Sequence, residues 1–577
     1  MKSINIKVSL LLILVMVVAC DNLEMDGLQT DPNNPSPDNA SLNDLYNNIQ
    51  LEFNNTLQSA EFDPGAAARM YMNVAYTYRT MSPNTTFNGF WGNAYNDLFP
   101  DIDALLALAE GQNFNIHVGS AKIMKAYTLM LLVDILGDVP MTDAGKGTDV
   151  ISPAADSGAD VYAAAIAMLD DAIVDLTGTN APRPTFDNFY GGNASGWIKL
   201  ANTLKLRAAL NTGDVATINS LVSGGNLINS AADDFQFNYG TRRANPNSRH
   251  PNYQSHYETG DGDYLSNYYM WILKAEKLSV LNPGATVTDP RIRYYFYRKV
   301  DDAVDQDATT FSCHFSNLPD QTAKPSHWNA VDPRLPYCIA SVDGYTGRDH
   351  LNGEGIPPDG GIRTSYGLYP FGGDFDDDTF VDTRKSGTTG GLGQGITPFM
   401  LSSFTSFMLA EASLRLPGAA TGTVTTLLEN GIRASLNKVE SFENRVSAKM
   451  GTNVTLRDGS SGTVKQLYGM STAKKDDYVN QVLAMYNAAA SPAEQLDIVI
   501  KEFYIAAWGN GIEAYNMYRR TGYPSNMQPS LEADPGPFPL SFFYPANSVD
   551  RNANIDQKGE LNVPVFWQDP TVAAKLY

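Results

Sequence analysis

Adjacent carboxylates are the most frequent pattern in this chain that could support catalysis. They occur at Asp170 and Asp171, at Asp233 and Asp234, at Asp301 and Asp302, and in the run 376–378. A glycosidase uses two carboxylates held at a defined separation across a cleft. A chain with 63 acidic residues contains adjacent acids by chance, and its six histidines show no HExxH spacing. We therefore predict no catalytic site, with a surface glycoside hydrolase as the enzymatic alternative.

Two acidic loops raise the question of bound calcium. One contains Asp261 and Asp263 around a glycine, and the other is the segment 374–378. Calcium takes about six to eight oxygen ligands, commonly from a turn. Neither loop has the full EF-hand pattern, so acids that are simply solvated are the alternative. We predict no metal site and no cofactor, and calcium stays open as an alternative.

Aromatic residues in loops are better candidates for a binding function. A sugar lays its apolar C–H face on an aromatic ring while polar groups at the rim bind its hydroxyls. Aromatic residues outside helical periodicity are Phe90 and Trp91, Tyr264 in an aromatic cluster at 253–271, and Trp328. We predict that these four residues bind a glycan. For each of them the alternative is packing under a long loop.

The N-terminus has the features of a bacterial lipoprotein signal over residues 1–20. Lys2 and Lys7 provide a charged start, and the apolar segment 10–18 is too short to span a bilayer. Small residues lead up to Cys20, as in a lipobox, so cleavage before Cys20 would leave a lipidated N-terminus. Ordinary secretion is the alternative. The acidic, Pro- and Asn-rich segment 21–41 predicts a flexible tether.

The other two cysteines, Cys313 and Cys338, suit an extracytoplasmic location without requiring one. A disulfide between them would close a loop of about 25 residues and add a few kcal/mol at most. Two buried free thiols are an equally good interpretation. The sequence leaves the choice open.

Charge excludes one class of partner. The formal net charge is −22, and only 18% of residues are charged while 11% are aromatic. Nucleic acids and anionic membrane surfaces favour basic proteins, so we expect no nucleic-acid partner and membrane attachment through the lipid anchor alone. The composition is typical of a secreted protein with ordered, aromatic loops.

Apolar periodicity predicts a mainly α fold in a single globular domain over 42–577. The helical parts are 42–230 and 396–520, the loop-rich part with short strands is 231–395, and 521–577 is a C-terminal loop segment. Short antiparallel helices joined by tight turns are what an array of TPR-type helix pairs would give, but the chain shows no clean 34-residue consensus of its own. The start of one helix can be predicted from the sequence. Ser491 can cap the helix N-terminus, Pro492 suits the first turn and Glu494 completes a capping box.

Several separated segments resemble the SusD/RagB family of Bacteroidetes outer-membrane lipoproteins. They are GNGIEAYNMYRRTGYP at 509–524, LLVDILGDVPMTDA at 131–144, the segment 343–378 containing GYTGRDH, and NVPVFWQDP at 562–570. Their order along the chain matches the family's order. The resemblance implies a SusD-like fold with irregular TPR units, and Trp91 falls where such proteins tend to place a glycan-facing aromatic residue.

The resemblance also implies a function. Members capture nutrients at the cell surface and pass them to a SusC-like TonB-dependent transporter in the outer membrane. We therefore expect a lipid-anchored, surface-exposed protein that binds an oligosaccharide and is not an enzyme. Peptide capture, as in RagB-like members, is the alternative within the family, and a TPR scaffold that binds only protein is an alternative of another class.

Overall fold

Helices dominate the part of the chain that the structure describes. In this computed structural model the described residues are 41–178, 180–259, 262–279, 287–299, 324–333, 335, 344–353, 363–380, 387–456 and 458–577. The predicted signal at 1–20 with Cys20, the segment 21–40, and both Cys313 and Cys338 lie outside the described residues, as does Asp261.

The longer helices fall before residue 225 and after residue 401, with one exception. They are α1 (Leu42–Gln58), α2 (Phe99–Ala109), α3 (Asn115–Leu136), α4 (Gly158–Leu176), α5 (Ala194–Thr212), α6 (Val215–Gly224), α7 (Asn267–Lys274), α8 (Ser402–Arg415), α9 (Val424–Glu440), α10 (Thr472–Ala488), α11 (Pro492–Ala506) and α12 (Gly511–Thr521). The exception is α7, which lies in the stretch predicted to be loop-rich.

Short helical segments connect these elements. They are Phe62–Ala67, Tyr78–Met81, Asn88–Gly92, Pro251–Gln254, Glu276–Ser279, Ile292–Tyr295, Ser326–Asn329, Ser447–Met450, Val464–Leu467, Ala546–Val549 and Pro570–Ala573, with π-helical turns at Asn93–Leu98 and Ser255–Thr259 and 3₁₀ turns at Gly147–Asp149 and Ser441–Val446. Because Asn88–Gly92 runs through Asn93–Leu98 into α2, residues 88–109 form one interrupted helix.

The strands are short and antiparallel. β1 (Phe235–Asn238) pairs with β4 (Ile396–Met400), β2 (Phe296–Tyr297) with β3 (Ser365–Tyr366), and β5 (Asn453–Thr455) with β6 (Ser461–Thr463). The β1–β4 pair joins the two ends of the loop-rich part, so that part returns to the helical body where it left.

Neighbouring helices pack in sequence order, as TPR-type pairs do. α3 packs on α4, α4 on α5 and α5 on α6; later in the chain α8 packs on α9 and also on α11. The predicted mainly α fold with helix pairs and short strands is confirmed. Among the described helices, α3 is long and apolar enough to cross a membrane, but 83% of its apolar window is buried inside the protein, as in a core helix.

The segments that carried the family resemblance meet in the core. The Asp134 carboxylate accepts hydrogen bonds from Arg207 at 2.7 Å, from Asn516 at 3.0 Å and from the Trp567 indole at 2.9 Å. Arg207 also pairs with Glu513. The helices α3, α5 and α12 and the C-terminal segment are thereby held by one buried polar network, which explains why these motifs are polar although they are not at the surface.

Candidate functional site

Three of the four predicted glycan-binding residues are buried, two of them completely and Tyr264 with 9% of its surface exposed. Phe90 and Trp328 are each 0% exposed. Trp328 lies in the short helix Ser326–Asn329, and its indole N–H donates to the Ser530 carbonyl at 2.9 Å. A ligand cannot lie on either ring in this structure. Burial therefore argues against the prediction for these two residues and favours its alternative, packing under a loop.

Trp91 lies at the surface beside Tyr95. The two ring centroids are 4.5 Å apart at 40°, and Phe99 meets Tyr95 edge to face at 5.3 Å. The Tyr95 hydroxyl donates to the Pro140 carbonyl at 2.7 Å, which fixes the ring. Tyr95 and Phe99 line a cavity of about 290 Å³, but Trp91 does not line it. Trp91 is therefore a half-buried ring beside Tyr95 that does not form part of this cavity wall.

Tyr264 borders an open cleft that joins distant parts of the chain. The cleft has a volume of about 370 Å³. Its lining residues combine aromatic, apolar and polar groups: Phe62, Met72, Asn73, Val74, Gly262, Asp263, Tyr264 and Arg363. Val74 and the nearby Tyr76 are each 50% exposed, which is unusual for large apolar side chains. This combination of rings and polar groups is what sugar recognition needs.

Backbone pairing on both sides holds Tyr264 in the wall of the cleft. Leu265 forms an antiparallel bridge with Tyr71, and Ser266 forms a parallel bridge with Arg348. The Arg348 N–H donates to the Leu265 carbonyl at 2.9 Å. The Tyr264 ring lies between two guanidinium groups, with the Arg348 carbon 4.1 Å and the Arg363 carbon 4.7 Å from the ring centroid. Cation–π contacts thus fix the ring before any ligand binds.

Another residue of the cleft lining, Phe62, is held in place through Tyr71 and Glu61. Phe62 stacks on Tyr71 with centroids 5.6 Å apart and planes 2° apart. The Tyr71 hydroxyl donates to Glu61 Oε2 at 3.0 Å, and the Gly511 N–H donates to the same oxygen at 3.3 Å. Burial raises the pKa of Glu61 to about 7, because the charged carboxylate is poorly solvated there. The position of Tyr71 is therefore linked to the proton on Glu61.

The acidic loop at 374–378 is paired with basic side chains and does not form an open oxygen cluster. Asp374 lies 2.8 Å from Lys449, Asp376 lies 2.6 Å from Arg298, and Asp378 lies 2.8 Å from Arg293. Each of these three carboxylates thus has a basic side chain of the protein as its partner. In the described part of the chain, no group of three or more His, Cys, Asp or Glu side chains could hold a metal ion.

The predicted carboxylate pairs that are described also contact lysines. Asp170 lies 2.5 Å from Lys205, Asp233 lies 2.8 Å from Lys199, and Asp234 lies 2.8 Å from Lys438. Asp301 and Asp302 lie outside the described residues. An acid catalyst needs a raised pKa and a partner across a cleft. For Asp233, burial is outweighed by hydrogen bonds from Lys199 and Ser230, which lower the pKa of the carboxyl and favour its charged form.

The sequence did not single out five of the cleft residues: Phe62, Met72, Asn73, Val74 and Arg363. The first four lie in the part predicted to be helical, and Arg363 lies in the segment 343–378 that carries the family resemblance. Tyr76, an aromatic residue between helices, was the sequence feature that could have drawn attention to this part of the cleft. Tyr264 was found because it belongs to a non-periodic aromatic cluster, although its neighbours Tyr268 and Tyr269 are fully buried.

Two protein-family models match parts of this chain. A family model described as "Starch-binding associating with outer membrane" matches residues 32–336, and a second, "Susd and RagB outer membrane lipoprotein", matches residues 393–558. Comparison with curated proteins gives no match.

Solved structures of similar fold cover nearly the whole chain. One is a SusD/RagB family protein from Bacteroides thetaiotaomicron, with 19% identity and a TM-score of 0.63 over 92% of this chain and 99% of the other. Another is a chitin-binding protein, with 18% identity and a TM-score of 0.62 over 92% and 100% of the two chains. A third, from Bacteroides vulgatus, is described as a nutrient-binding outer membrane protein, with 18% identity and a TM-score of 0.60 over 92% and 100%.

Proposed function

Because the chain belongs to the SusD-like family of outer-membrane lipoproteins, we propose that it binds an oligosaccharide in the cleft at Tyr264. The observation that carries this proposal is the composition of that cleft. Tyr264 and Phe62 supply rings, while Asn73, Asp263 and Arg363 supply hydrogen-bonding groups. The chitin-binding neighbour supports a glycan as the class of ligand.

The proposed binding mode follows from the geometry of the cleft. Tyr264 is 9% exposed, and contacts with Arg348 and Arg363 already fix its ring, so little conformational entropy is lost when a sugar packs against the exposed part of the residue. Asp263 and Arg363 can accept from and donate to vicinal hydroxyls. The exposed Tyr76 extends this surface beyond the cavity. Neutral glycans fit best, because the chain's net charge of −22 repels acidic ones.

In this proposal the protein is not an enzyme, and it works together with a transporter in the outer membrane. Lipidation at Cys20 anchors it on the outer face of the outer membrane, the segment 21–41 gives it reach, and it delivers ligand to a SusC-like TonB-dependent transporter. A tethered receptor raises the local ligand concentration, so modest affinity is sufficient. Family membership supports the outer-membrane location and the partner.

Affinity electrophoresis tests the ligand class. The chain from residue 26 onward is run through gels containing neutral glucans, mannans, xylans or fructans, and chitin oligosaccharides are titrated by calorimetry. Binding of one glycan that is lost in Tyr264→Ala supports the proposal. Failure of every glycan, with binding of a peptide mixture, would assign the protein to peptide import. Release of new reducing ends would show a hydrolase.

A further inference from the structure

A second aromatic ring, that of Tyr76, lies just outside the Tyr264 cleft on a segment that helps to line it. Residues 72–74 belong to the cleft lining, and Tyr76 follows two residues after Val74. Tyr76 is 50% exposed, whereas Tyr264 is 9% exposed. Tyr76 is therefore accessible to a ligand that extends out of the cleft.

The backbone at Gly353 supports the Tyr76 ring. A Cβ atom added at Gly353 would lie 2.7, 2.7 and 2.8 Å from the Tyr76 ring atoms Cδ2, Cε2 and Cγ. Because these three adjacent atoms are almost equally distant, the ring turns one face toward Gly353; an approach to its edge would bring one atom much closer. Only a glycine allows the backbone to come so near. With one face covered, the exposed half of Tyr76 lies on its other side.

One short loop contacts both rings. Arg348, whose guanidinium carbon lies 4.1 Å from the Tyr264 ring centroid, donates to the Asn352 carbonyl at 3.3 Å. Gly353, which supports Tyr76, follows Asn352 directly in the chain. The same loop thus holds the ring in the cleft and the ring outside it, and both are in place before a ligand binds.

We propose that Tyr76 forms a second sugar-binding subsite beside the Tyr264 cleft, so that the protein favours longer glycan chains over short oligosaccharides. This inference rests on the proposed function, because it extends the same site. An aromatic face packs on the apolar C–H face of a sugar, and a ring that is already held loses little conformational entropy. A short ligand in the cleft contacts Tyr264 alone, whereas a longer chain reaches Tyr76 and gains a second contact.

Titration with saccharides of two lengths tests the proposal. Disaccharides and hexasaccharides of chitin, glucans, mannans, xylans and fructans are titrated by calorimetry into the full chain in detergent. For the glycan that binds, Tyr76→Ala should weaken hexasaccharide binding about tenfold and change disaccharide binding less than about twofold, as expected for the loss of one aromatic contact. Tyr264→Ala should weaken the binding of both lengths.

Two glycine substitutions serve as a matched pair that keeps the Tyr76 side chain. Gly353→Ala places a Cβ against the Tyr76 ring and displaces it, so this variant should reproduce the effect of Tyr76→Ala on the hexasaccharide. Gly224→Ala adds the same methyl group where none of the described atoms lies within 4 Å of it, and it should change neither affinity.

The outcomes separate this inference from the proposed function. An equal effect of Tyr76→Ala on both lengths, or no effect on the hexasaccharide, would overturn the second subsite. The proposed function would still stand in that case if Tyr264→Ala weakened binding. Failure of every saccharide to bind the wild-type chain would instead overturn the proposed function and this inference together.

Discussion

Arg207 and Glu513 form an ion pair between residues 306 positions apart in the chain, and both side chains are at most 2% exposed. Arg207 also contacts Asp134 at 2.7 Å, so one guanidinium joins α3, α5 and α12. Burial and the two carboxylates act in opposite directions on Arg207, and the carboxylates prevail, holding its pKa well above its usual value. The segment 509–524, which carries part of the family resemblance, therefore helps to hold these three helices together.

Replacing Arg207 by Met should destabilise the protein strongly. Asp134 and Glu513 would remain buried without their cation, which lowers the free energy of unfolding by about 3–5 kcal/mol. Chemical denaturation followed by circular dichroism measures this. The matched control is Arg79→Met, since Arg79 lies 3.9 Å from Glu560 and both are more than half exposed; its effect should stay below about 1 kcal/mol. Similar losses of stability in both variants would contradict this structural role of Arg207.

Stability should fall as pH rises from about 4.5 to about 7, in part because of Glu61. The folded state raises the pKa of Glu61 from 4.5 to about 7, so the folded protein binds the proton more tightly than the unfolded chain does. This stabilisation is fully present below pH 4.5 and is lost as pH passes through 7. It amounts to about 3 kcal/mol at most.

The variant Glu61→Gln isolates that contribution, because the amide oxygen can still accept from Tyr71 and Gly511 but cannot ionise. Asp63, whose pKa burial raises to about 6, remains in both proteins and so cancels from the comparison. The difference in unfolding free energy between wild type and variant should therefore change between pH 5 and pH 7.5. A difference that is the same at both pH values would refute the linkage.

Glycan affinity should depend on Tyr264 and not on Trp91. Tyr264→Ala removes a ring that Arg348 and Arg363 hold in place, and we expect glycan affinity to fall about tenfold, equivalent to 1.4 kcal/mol. Tyr264→Phe should retain most of the affinity. Trp91→Ala should change it less than about twofold, since Trp91 lines neither cavity. Loss of binding in Trp91→Ala alone would move the site to the surface formed by Trp91 and Tyr95.

Local sequence rules predicted helix ends well. α11 begins after Ser491, whose side chain accepts the Glu494 N–H at 3.2 Å, with Pro492 in the first turn. The Glu494 carboxylate accepts the Ala490 N–H at 2.8 Å and not the Ser491 N–H, so the predicted capping box is not completed. α12 ends at Gly522, which adopts φ 74°, the left-handed conformation that glycine tolerates best. Such signals depend on residues within one turn of each other, so a single sequence is enough to read them.

The candidate binding residues could not be predicted from such local signals. Phe90 and Trp91 were taken together as loop residues, but they lie in the helix Asn88–Gly92. Successive helical residues point about 100° apart, so Phe90 is fully buried in the core while Trp91 is only partly buried at its border. The cleft itself is assembled from segments near residues 62–74, 262–264 and 363. No local pattern encodes that meeting, because it depends on long-range pairing such as the Tyr71–Leu265 bridge.

Trp328 should matter for stability and not for ligand affinity. Its ring is 0% exposed, and its N–H donates to the Ser530 carbonyl 202 residues away. Trp328→Ala would leave a cavity and remove one of the two side-chain hydrogen bonds to the Ser530 carbonyl, the other being from His327 at 3.0 Å, which should lower the free energy of unfolding by about 3–5 kcal/mol. Calorimetric titration at a temperature where the variant is folded should still give wild-type glycan affinity, whereas Tyr264→Ala under the same conditions should not. A folded Trp328→Ala protein that fails to bind glycan would show that the ring contacts the ligand after a rearrangement that exposes it.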